Sequence, residues 1–214
     1  MIIYCADIGS IKRGNFGWAR LAANDSADGC TTGQDIQQFV ERISKDVVAG
    51  HRVAVGFECP LFVPVPDDPL GLTSAGPGEG DRSWSAAGGV GALATGLTEV
   101  LWILKQLGRS LDRRPEVFVD WPAFQQAGEG LFIWEAFVTK EAKMATHCGD
   151  AELAVRTFRA AMPAVDQQNA VVCQGPVRSL FGAAVLQAGW ADDLAWLGKS
   201  CLVLRARPES KSAA

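Results

Sequence analysis

Two runs of this chain are apolar at nearly every position and end in a carboxylate. The first is Ile2-Ile3-Tyr4-Cys5-Ala6, closed by Asp7; the second is Val53-Ala54-Val55-Gly56-Phe57, closed by Glu58. A strand with one wet face alternates apolar and polar residues. These runs do not, so both predict strands covered on two faces. That restricts the fold to a sheet with layers packed on either side. It also leaves two acids at the ends of buried strands, where an ionised carboxylate is costly unless it meets a partner, a metal or a proton.

The remaining segments supply the layers. The turn-like Lys12-Arg13-Gly14-Asn15 precedes a second strand over Phe16 to Leu21, which predicts a hairpin with the first. Asn24 to Gly33 reads as a polar turn with one short edge strand. Thr32 and Asp35 approximate a capping box, Ile36, Phe39, Val40, Ile43 and Val47 recur at helical spacing, and Gly50 closes that helix. The second acid-tipped strand covers Arg52 to Glu58. Residues 60–84 are rich in proline and glycine and lack any period, as in a functional lid or a disordered loop. A helix follows over Ser85 to Leu107, then short strands over Glu116 to Asp120 and Leu131 to Val138. A helix over Asp150 to Met162, a strand over Ala170 to Cys173, a helix over Val177 to Ala188 and a strand over Ser200 to Leu204 complete the pattern. Strands first, then strands alternating with helices, predict one α/β domain over residues 1–206. Its mixed sheet carries helices on both faces, and residues 207–214 read as a flexible tail.

Charge and cysteine usage remove several classes of function. The net charge of −4 provides no global basic field, so any hold on a polyanion must be local or metal-mediated. The six cysteines are scattered, with no Cys-x-x-Cys pair and no zinc-ligand spacing. No charged leader precedes the first apolar run, and Asp7 interrupts it, so it predicts neither a signal peptide nor a membrane span; the expectation is a cytoplasmic protein with reduced thiols. Gly89-Val90-Gly91-Ala92-Leu93-Ala94 fits a dinucleotide-loop pattern, but no strand precedes it, and small residues for close helix packing are the simpler account. His147 and Cys148 are adjacent, which says little about a nucleophile pair.

The two acid-ended strands carry the chemistry. As parallel neighbours their ends would lie about 4.8 Å apart, close enough to share divalent cations that take carboxylate oxygens and water. Asp150, at the start of a late helix, would supply a third ligand. His147, three residues earlier and one turn away on a helix, could share its target. The chemistry implied is in-line attack of a metal-activated water on a phosphodiester, with Mg2+ or Mn2+ as the cofactor. Each acid alone could equally cap a turn or a helix start; the combination is what points to a metal. Ser10, Lys12 and Arg13 after the first strand are candidate substrate contacts, with Arg82 and Trp84 in the long loop. Trp84 could stack on a base or simply pin the loop.

The order of acid-ended strand, hairpin, helix, acid-ended strand and later acid-bearing helix resembles the ribonuclease H-like superfamily. It is similar to the predicted nucleases of domain-of-unknown-function family 429 and to Holliday-junction resolvases. The strings that carry the likeness are Ala6-Asp7-Ile8-Gly9-Ser10, Gly56-Phe57-Glu58-Cys59-Pro60-Leu61, Trp134-Glu135-Ala136-Phe137 and His147-Cys148-Gly149-Asp150-Ala151. The resemblance implies strand order 3-2-1-4-5 and a nuclease acting on DNA or RNA. It makes Asp7, Glu58 and Asp150 the metal ligands, Glu135 a fourth acid beside them, and His147 a ligand or a base for the attacking water beside Asp150. The chain departs from that pattern in the Cys59 after Glu58 and the Gly149 before Asp150. Two alternatives stand beside the nuclease. One is a ribonuclease H-like scaffold that binds without cleaving. The other is a nucleotide-binding protein, because Asp7-Ile8-Gly9-Ser10-Ile11-Lys12 also resembles the phosphate loop of sugar kinases and actin-like ATPases. Those proteins use two such domains, so this chain would have to form a homodimer to complete the cleft.

Overall fold

In a computed structural model, which describes residues 1–24, 29–75, 84–85, 87–138, 140–173 and 175–206, strand β1 (Ile2–Asp7) is buried along its whole length and paired on both edges. On one side it runs antiparallel to β2 (Gly17–Ala22), which pairs with the edge strand β3 (Thr31–Gly33). On the other it runs parallel to β4 (Val53–Glu58). The expected hairpin and parallel pair are both present.

Helices cover both faces, as an all-apolar central strand requires. Ile2, Tyr4 and Ala6 pack in one layer with α1 (Ile36–Val48), α2 (Ala87–Ser110) and α5 (Leu180–Gln187). Ile3 and Cys5 pack in the other with α3 (Trp121–Ala127) and α4 (His147–Ala161). A polar clamp fixes α1 to the sheet: Tyr4 Oη donates to Asp46 Oδ2 at 2.5 Å, and the Arg20 guanidinium donates to both Asp46 oxygens at 2.8 and 3.1 Å.

The strand order departs from 3-2-1-4-5. Beyond β4 the sheet continues to β7 (Leu131–Phe137) and then β6 (Val117–Phe118), and β9 (Leu202–Arg205) also pairs with β7. The two share one edge of β7: β6 lies along Leu131 and Phe132, β9 along Trp134 to Phe137, each parallel. The fifth strand in the chain, β5 (Phe62–Pro64), follows β4 too closely for the dozen or so residues that a parallel crossover takes. It pairs instead with β8 (Val177–Ser179) in a separate antiparallel ribbon.

Local departures have local causes. Asp35 alone caps α1, accepting from the amides of Gln37 and Gln38, while Thr32 lies in β3. Asp120, expected to end a strand, caps α3. Ala170 to Cys173 forms no strand, because Asn169 Oδ1 takes the amides of Val171 and Val203 where a ladder would run. Val177 begins β8, and α5 starts only after Ser179 caps it. No helix among the described residues is long and apolar enough to cross a membrane.

Candidate metal centre

Asp7 and Glu58 are cross-strand partners in the β1–β4 register. Strand parity sends both side chains to the α4 face, following Ile3, Cys5 and Ala54. Asp150 reaches them from the first turn of α4, whose N-cap is Thr146 accepting from the Gly149 amide at 3.0 Å. Gly17, opposite Asp7 on β2, is what lets that helix end come so close. A Cβ there would sit 2.4 Å from the Cys148 nitrogen and 2.5 Å from the His147 carbonyl carbon. Gly56 makes room below the centre, where a Cβ would lie 2.4 Å from the Trp134 indole, whose ring is tilted against Phe158.

Ligand oxygens of Asp7, Glu58 and Asp150 all lie within 4.8 Å of one another. Lys143 Nζ bridges two of them, donating to Glu58 Oε1 at 2.7 Å and to Asp150 Oδ2 at 2.9 Å. His147 Nδ1 lies 2.5 Å from Asp7 Oδ2, and the Met144 amide donates to Asp150 Oδ1 at 2.7 Å. Burial raises the Asp7 carboxyl to about 6. Burial first, and then the neighbouring Asp7 charge, raise Glu58 to about 9. Burial of the Lys143 ammonium favours its neutral form, but Glu58 and Asp150 outweigh this and hold it charged.

The donor set fits a hard divalent cation. It is made of carboxylate oxygens without thiolate, and Glu58 Oε2 is buried with no hydrogen-bond partner. A pocket of about 580 Å3 opens over the centre, with Asp7, Glu58, Lys143 and His147 on its floor and Gly88, Gly91 and Thr95 of α2 in its wall. Glycines of the dinucleotide-like string thus line this pocket from within a helix; the close packing lies one turn on, where Gly96 meets Cys59. A larger cleft of about 800 Å3, between α4 and β9, contains no acid and lies apart from the cluster.

Glu135 lines the pocket over the centre but is not one of the three clustered acids. It is in register with Phe57, not Glu58, so its side chain leaves the sheet on the opposite face, where Oε2 accepts the Leu61 amide at 2.9 Å. Ser10 lines the pocket, whereas Lys12 and Arg13 stand exposed in a turn beside it. Trp84 is half-buried and away from the pocket wall, and Arg82 lies outside the described residues. His147 and Cys148 are no nucleophile pair: the thiol donates to the Gly33 carbonyl, and burial raises its pKa. Two contributors carried no sequence signal. Lys143 is one of two lysines in a short irregular segment, and Glu99 reaches from α2 to accept the Gly9 amide behind the β1–β2 turn. Comparisons of the chain with models of protein families, with curated proteins and with solved structures each found no match.

Proposed function

We propose that the protein is a metal-dependent phosphodiesterase of ribonuclease H-like fold acting on nucleic acid, with Asp7, Glu58 and Asp150 as ligands of Mg2+ or Mn2+. The observation that carries this reading is the convergence of three carboxylates within 4.8 Å at the carboxyl ends of adjacent parallel strands, where α/β sheets form their binding crevices. The ribonuclease H-like assignment is supported by the acid-ended central strand, its antiparallel hairpin partner and its acid-ended parallel neighbour. When bound, the cation would polarise the phosphodiester and lower the pKa of the attacking water. The chain's own part is to hold and orient. Met144 fixes one Asp150 oxygen, and the contact of His147 Nδ1 with Asp7 Oδ2 orients the imidazole, whose Nε2 would be the atom to take a proton from the water.

Lys143 favours a second reading. Its ammonium already bridges Glu58 and Asp150, as it would in a scaffold that binds a partner without cleaving. One experiment separates the two: thermal unfolding with and without Mg2+ or Mn2+, beside cleavage of single-stranded, duplex and branched oligonucleotides. The cation is expected to raise the melting temperature of the wild type and to support cleavage. Metal-free Asp7→Asn is expected to be more stable than wild type, by about 1 kcal/mol, from relief of like-charge crowding, with both cation effects lost. A wild-type protein indifferent to both cations would end the nuclease reading, and cation binding with no substrate cut would leave the non-catalytic one.

A further inference from the structure

We infer that Lys143 is the resident counter-ion of the carboxylate centre: its ammonium holds the place of a divalent cation between Glu58 and Asp150, and leaves when one binds. This rests on reading the centre as a cation site. Nζ stands 2.7 Å from Glu58 Oε1 and 2.9 Å from Asp150 Oδ2, and both residues belong to the convergent set. A hard dication takes such oxygens at about 2.0–2.6 Å. The ammonium and the cation therefore compete for the same lone pairs, and their charges repel at this range.

The surroundings allow the exchange. Asp7 and Asp150 are buried, but the Lys143 side chain is 45% exposed, so it has a way out. Its backbone need not move, because the next amide, that of Met144, stays on Asp150 Oδ1 at 2.7 Å. Lysine is a point charge on a rotatable stem, suited to leaving one anion for another. On release it stays beside the pocket it lines, where an anionic oxygen of a bound substrate would meet it. The idle, buried Glu58 Oε2 is the complementary sign: the ammonium uses one oxygen of that carboxylate and leaves the other unpartnered.

Two measurements on the full chain test this, with Mn2+ alone as the probe. In titration calorimetry, Lys143→Met is expected to bind Mn2+ about tenfold more tightly than wild type, because the competing charge is gone. In the wild type, modification of Lys143 by an amine-reactive reagent, followed by peptide mass spectrometry, is expected to accelerate several-fold on adding Mn2+ while Lys45 and Lys105 keep their rates. Labelling needs no variant, so it decides the matter if Lys143→Met does not fold. Equal or weaker Mn2+ affinity in a folded Lys143→Met, or labelling of Lys143 that Mn2+ leaves unchanged or slows, overturns the inference while the cation site itself stands. Absence of Mn2+ binding in both proteins overturns the inference and the proposed function together.

Discussion

Glu99 and Asp46 are acids of similar intrinsic strength whose surroundings drive them in opposite directions. Burial raises Glu99 to about 7 against a single compensating amide from Gly9, and its Oε2 has no hydrogen-bond partner. Asp46 is desolvated as well, but the Arg20 guanidinium and the Tyr4 hydroxyl more than compensate and hold its carboxyl low. The consequences for stability have opposite signs. The folded protein keeps its proton on Glu99 after the unfolded chain has lost it, so this residue's contribution is full below the unfolded value and is lost as pH rises towards 7. The contribution of Asp46 is full above its unfolded value and is lost as pH falls through its depressed folded value. Glu99→Gln is therefore expected to remove a decline on the order of 2 kcal/mol across that interval. Urea unfolding of variant and wild type at about pH 4.5 and pH 7.5 reads it as a difference of differences; a constant offset between the two proteins would refute the assignment.

At the scale of elements, the N-terminus of α4 is the part of the site that depends most on packing. Any side chain at Gly17 must push that helix end off β2, because the nearest atoms are backbone of His147 and Cys148 and cannot rotate away. Gly17→Ala is expected to cost about 1–3 kcal/mol, seen as a lower denaturation midpoint. It should also weaken Mn2+ binding, since Asp150 and His147 travel with the helix. A variant that loses stability but binds Mn2+ as the wild type does would show that the helix end is not what places these two side chains. This dependence explains which elements were legible in the sequence. The β1–β2 hairpin, α1 and β4 announce themselves through unbroken apolar runs, a helical period and capping residues, and they deliver Asp7 and Glu58 to adjacent positions. Asp150 was legible as an acid on a late helix, although the helix begins at His147 and not at the acid. Glu135 was legible as an acid on a buried strand, and it lines the pocket, but its face was not legible; only the register against Phe57 fixes that. The β5–β8 ribbon is a pairing of two three-residue strands far apart in the chain, and no local pattern encodes it. Lys143 is recognisable only once Glu58 and Asp150 have been brought together.

For the whole molecule, charge and topology pull against each other. The sheet gathers the carboxyl ends of β1, β4 and β7 around one pocket, and the cluster placed there is acidic in a chain of net charge −4. Long-range electrostatics thus repel a polyanion, and the centre repels it further until its charge is compensated. A nucleic acid can be held only if cations are held first, so association should be switched by divalent ions more than by monovalent salt. Fluorescence anisotropy of a labelled oligonucleotide in EDTA, and again in Ca2+ to permit binding with little cleavage, measures this directly. The expected result is no measurable association in EDTA and association in Ca2+. Its dependence on monovalent salt should be shallow, because few phosphates are neutralised by lysine or arginine. Tight association in EDTA with a steep salt dependence would instead locate the hold on basic side chains away from the carboxylates, and the acidic centre would then play no part in gripping the strand.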